Sequence, residues 1–102
     1  MKLTIKGKEV VVTLKLGAYL IYQEEFGKDF SLEAISDTAF IKLFYSCFKN
    51  ACRLQGIECD VTCDEFFNEV SQDDYLKFYE DEILPSLKKN MEFQRKVAAQ
   101  LA

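Results

Sequence analysis

TAFIKLFYSCFKNACRL, running from Thr38 to Leu54, is the stretch that decides how this chain folds. Its polar positions are Lys42, Ser46, Lys49 and Arg53, with Asn50 beside them. Spacings of four, three and four gather the first four into one line on a helix of about 3.6 residues per turn. The remaining surface is apolar, so the segment reads as a central helix, wetted along one strip and packed by partners on its other sides.

Working outward, the N-terminal side alternates. Leu3, Ile5, Val10, Val12 and Leu14 interleave with polar or β-branched neighbours at the period of a half-buried strand. Gly7-Lys8 sits between the two runs, so residues 2–15 are expected to form a β-hairpin with Gly7 at the first central position of a type II′ turn. Two strands alone are marginal in water, and this pair must be covered by helix or by another chain's edge. Next, Leu16, Tyr19, Leu20, Tyr22 and Phe26 are read as the apolar side of a helix that closes at Gly27. Ser31 is expected to cap a short segment to Ile35, Asp37 to cap the central helix, and Gly56 to end it.

On the C-terminal side, Thr62-Cys63-Asp64-Glu65 is a capping box for a helix to about Val70, buried through Phe66, Phe67 and Val70. Ser71 caps the next helix, with Asp73 and Asp74 in its first turn. Tyr75, Phe78, Tyr79, Ile83, Leu84, Leu87 and Met91 carry the apolar stripe past Pro85, where a kink or break is expected. Phe93, Val97 and Leu101 recur every four residues on an otherwise polar tail, and with Met91 they are the candidate protein-partner residues. The order is a hairpin and then helices, an α+β fold in one domain, with the hairpin at 2–15, the helical core at 17–84 and a C-terminal helix or tail at 85–102.

A 102-residue domain with 49% hydrophobic residues, nine Phe and five Tyr has enough apolar surface for its own core. Charge is uneven. Residues 1–57 balance at +2, residues 58–84 carry ten acidic side chains against Lys77, and residues 85–102 set Lys88, Lys89, Arg95 and Lys96 against Glu92. That pattern suits neither nucleic acid nor anionic lipid, which need clustered Lys and Arg, and suits a basic or apolar protein partner better. The chain has no apolar run of membrane-spanning length and no signal-peptide core, and a cytoplasmic location is expected.

Reactive groups are scarce. Histidine is absent, and neither G-x-x-x-x-G-K nor G-x-G-x-x-G occurs; Gly7, Gly17, Gly27 and Gly56 each have a turn or cap explanation. Cys47 and Cys52 lie five apart on one helix and point about 140° away from each other, which suits buried small hydrophobes better than a shared metal. Cys59 and Cys63 have a permissible ligand spacing but straddle a helix cap. Glu24-Glu25 and Glu80-Asp81-Glu82 read as exposed helix faces. No cofactor, metal or catalytic residue is expected.

Leu3-Thr4-Ile5-Lys6-Gly7-Lys8-Glu9, Leu14-Lys15-Leu16-Gly17-Ala18 and Glu24-Glu25-Phe26-Gly27-Lys28-Asp29-Phe30 together resemble the opening of tail assembly chaperones of long-tailed bacteriophages and related prophage or gene-transfer-agent proteins. The resemblance covers about the first third of the chain. It implies a non-enzymatic protein of the bacterial host cytoplasm that binds the tape measure protein, keeps it soluble and helps recruit tail tube subunits. In many phages a longer version of such chaperones arises by translational frameshifting, and the tail after Pro85 is where such an extension would join. The alternatives are a structural tail or neck component, a self-associating module whose hairpin pairs edge to edge into a homo-oligomer, and a small metal-binding regulatory domain built on the cysteines.

Overall fold

The computed structural model describes residues 1–30 and 36–101, leaving the segment expected to start at the Ser31 cap outside the described residues. Strands β1 (Lys2–Ile5) and β2 (Lys8–Val11) form an antiparallel hairpin. Leu3 pairs with Val10 and Lys2 with Val11, and the Val12 amide adds a bond to the Met1 carbonyl. Leu3, Ile5, Val10 and Val12 are all buried, as the alternation requires. The turn differs from expectation. With Ile5 paired to Lys8, its central residues are Lys6 (φ 50°) and Gly7 (φ 77°), so both carry positive φ and the turn has the type I′ rather than the II′ signature. Glycine takes the second central position because the register is one residue earlier than the Gly7-Lys8 dipeptide suggests.

Helix α1 (Leu16–Phe26) ends where Gly27 enters the left-handed region at φ 73° and its amide bonds to the Gln23 carbonyl at 2.9 Å. Its buried side is Ala18, Ile21 and Tyr22, while Leu16 and Leu20 are 83% and 68% exposed. Tyr19, Tyr22 and Phe26 pack against the core as expected, whereas Leu16 and Leu20 do not. The helix rotates so that small Ala18 and Gly17 meet the next helix, which turns the two leucines out to solvent.

Helix α2 (Asp37–Leu54) is the hub, touching β2, α1, α3 (Cys63–Glu69) and α4 (Gln72–Phe78). Its cap is Ser36, whose Oγ accepts from the Ala39 amide at 3.1 Å, one residue before the expected Asp37. One face carries a run of aromatic contacts. Phe44 stacks on Phe78 with centroids 4.3 Å apart and meets Phe66 edge-on at 5.1 Å, and Phe40 meets Tyr79 edge-on. Cys47 and Cys52 fill gaps in this core as small buried side chains.

The polar line on α2 is not a wetted strip. Helix α1 lies along it: Lys42 Nζ stands 5.2 Å over the Phe26 ring, Ser46 is fully buried with its hydroxyl donating to the Lys42 carbonyl, Lys49 pairs with Glu25, and Arg53 approaches Glu24 at 3.8 Å. Asn50 packs so near Gly17 that a Cβ there would stand 2.8 Å from Asn50 Oδ1. Gly17 therefore serves close helix contact, correcting its assignment to a turn or cap.

The capping residues at Thr62 and Ser71 behave as expected, each hydroxyl accepting from the amide three residues on. The Glu65 carboxylate, however, takes the Thr62 hydroxyl at 3.1 Å and Lys6 Nζ, rather than reaching the Thr62 amide. Lys8 Nζ donates to the Glu58 carbonyl at 2.7 Å and to Asp60 at 3.2 Å, so two hairpin lysines tie the turn to α3 and to the loop before it.

From Gln72 to Leu101 the backbone stays helical: α4, a π-helical turn at Tyr79–Ile83, then α5 (Leu84–Leu101). The Leu84 amide bonds back five residues to the Tyr79 carbonyl. A kink or break was expected at Pro85; instead α5 runs through it, and the ladder widens into this π turn just before the ring, where the i−4 bond would be lost. The helix is about 45 Å long at 1.5 Å per residue and accounts for the molecule's longest extent, 53 Å against 26 and 25 Å.

Candidate functional site

Among the described residues two features face outward: a groove and an arm. The groove, about 550 Å³, opens between the first half of α2, α3 and α4. Its walls are Ile41, Phe44, Phe66, Phe67, Val70 and Leu76, and Tyr75 and Asp37 also line it. Phe44 and Phe66 form a floor already locked by their edge-on contact, and Leu76 stands on the rim, 48% exposed. Burial, with the Asp37 charge adding to it, holds the Tyr75 phenol above its ordinary pKa.

The arm is the last part of α5. Leu87 is the final residue of the apolar stripe that packs on the core. Beyond it Met91, Phe93 and Val97 are 55%, 65% and 37% exposed, and every residue from 91 to 100 is exposed. Leu101 lies in the helix, with its side chain outside the described set. The four candidate residues do not form one stripe. At about 100° per residue Phe93, Val97 and Leu101 share a side, whereas Met91 lies about 160° around from Phe93, in line with Leu84 and Leu87.

Among the described residues no three His, Cys, Asp or Glu side chains gather as a metal site. Burial pushes the Cys47 thiol far above its ordinary range, with Glu82 adding to the effect, and raises Cys52 to about 11, where Cys59 contributes through charge and a hydrogen bond. Burial likewise raises Cys63. Glu24, Glu80 and Asp81 are exposed as expected. Glu82 departs from the exposed-face reading: it is half-buried and accepts from the Leu14 amide at 3.3 Å, pinning the chain between hairpin and α1.

Hairpin pairing through β2 meets an obstacle. Val11 is an outward-facing position of the ladder, and the Gln55 amide occupies both of its backbone groups. Sequence reasoning found the arm but missed the groove, since its walls come from three helices. The available signal was Leu76, an apolar residue out of phase with the Tyr75–Phe78–Tyr79 stripe. No helix among the described residues is long and apolar enough to cross a membrane. The chain matches no protein-family model, no curated protein and no solved structure.

Proposed function

We propose that this protein is a phage tail assembly chaperone, acting without catalysis by binding the tape measure protein and assisting tail tube assembly. The resemblance of its first thirty residues suggests the family, and the single structural observation that supports a binding role is the uncovered arm of α5 carrying Met91, Phe93 and Val97. Exposed apolar residues on a rigid helix are what a helical client with its own apolar stripes would cover. The upward shifts of the buried thiols agree with a chain that uses Cys47 and Cys52 for packing rather than for nucleophilic attack.

The test is co-expression with the tape measure gene from the same locus. Soluble tape measure protein is expected with the wild-type chain and a marked loss of it with Phe93→Glu/Val97→Glu. A client equally insoluble with and without the wild-type chain refutes the proposal. Because both substituted side chains are exposed, an unchanged melting curve of the variant separates lost binding from lost folding.

A further inference from the structure

We propose that this chain associates head to tail, the α5 arm of one copy seated in the α2–α3–α4 groove of the next. The occupant is argued from charge and geometry and does not rest on the tail-assembly reading. The groove is apolar inside, and its rim bears Asp37, with Asp73 and Asp74 in the adjoining first turn of α4. Asp73 and Asp74 belong to an acidic stretch, since residues 58–84 hold ten acidic side chains and only Lys77 to offset them. The arm has the opposite character. Lys89 and Lys96 stand four residues before and three residues after Phe93, so they flank Phe93 along one side of the helix. An aromatic anchor between two ammonium groups fits an apolar slot bordered by carboxylates.

The arm of the same copy cannot fill its own groove. Leu76 lies on the rim and Phe93 is seventeen residues further along an uninterrupted helix, about 25 Å away at 1.5 Å per residue. Groove and arm therefore point to different neighbours. An arm-to-groove contact uses different surfaces on its two sides, so an unreciprocated contact propagates from copy to copy, whereas two copies exchanging arms about a two-fold axis would stop at the dimer. A short helical segment in a slot buries less than the roughly 1,200 Å² of a stable complex, so the association is weak and salt-sensitive.

Sedimentation velocity on the full chain tests this from micromolar to millimolar concentration. The wild-type weight-average mass is expected to climb past the dimer and to fall several-fold toward monomer when salt is raised. Phe93→Glu removes the arm and Leu76→Glu the groove; both positions are exposed, and unchanged far-UV circular dichroism verifies their folding. Each variant alone is expected to be monomeric, and their mixture to form one-to-one pairs and nothing larger, since one intact arm and one intact groove remain. Lys89→Glu/Lys96→Glu, which keeps the apolar arm, is expected to weaken the wild-type association at least several-fold. A wild-type chain monomeric throughout, a dimer unaffected by either apolar substitution, or a mixture that stays monomeric overturns the proposal.

Discussion

The side-chain amide of Gln55 pairs with both backbone polar groups of Val11, Oε1 accepting from the amide at 3.2 Å and Nε2 donating to the carbonyl at 2.8 Å. Gln55 is the residue just after α2, so the hub helix closes the outer edge of the hairpin with a side chain that imitates a neighbouring strand.

Gln55→Ala should lower stability by about 1 kcal/mol, the net worth of the bonds lost. It should also increase aggregation during refolding, because the Val11 edge becomes available to other strands. Urea unfolding and light scattering measure the two effects; a variant as stable and as soluble as wild type removes the edge-closing role.

At the α1–α2 contact, Gly17 and Asn50 should be coupled. Gly17→Ala alone gains helix propensity but drives its Cβ against Asn50 Oδ1, so little net change is expected. In an Asn50→Ala background the same substitution should stabilise by about 0.5–1 kcal/mol. A double-mutant cycle by chemical denaturation reads the difference, and additivity of the two changes would show that the close approach carries no energy.

Phe44 and Phe93 are both phenylalanines in helices with opposite expected behaviour. Phe44→Ala empties a fully buried position between the Phe78 and Phe66 rings and should cost about 3–5 kcal/mol. Phe93→Ala should stay within about 0.5 kcal/mol of wild type, because its ring is in water in the single chain. Thermal melts of the two variants decide it.

Stability should fall in alkali through Tyr45. Burial raises its phenol to about 12 from the ordinary 10.0, and its hydroxyl donates to the Val61 carbonyl at 2.8 Å. The folded state then holds its proton more tightly than the unfolded state, so the contribution is fully present below pH 10 and is lost as pH rises toward 12. Tyr19, Tyr22 and Tyr75, also raised chiefly by burial, add to the same trend. Tyr45→Phe should flatten the decline measured by denaturant titration, and an unchanged slope would remove Tyr45 as its source.

Periodicity and cap chemistry in the sequence determine the hairpin, the extents of α1, α2 and α3, the Thr62 and Ser71 caps and the Gly27 terminus. Each rests on interactions spanning at most a few residues, whose geometry the backbone fixes locally. The arm was legible for the same reason, as apolar residues recurring on a polar helix. Tertiary structure alone decided which way α1 turns, placing Ala18 and Gly17 against α2 and leaving Leu16 and Leu20 in water. It also converted the Lys42–Arg53 line from a solvated strip into the seam that receives Phe26, Glu25 and Glu24. The groove arose in the same way, from helices distant in sequence. A periodic pattern states which residues share a side of a helix; what that side meets depends on the shapes and charges of segments brought together only when the chain folds.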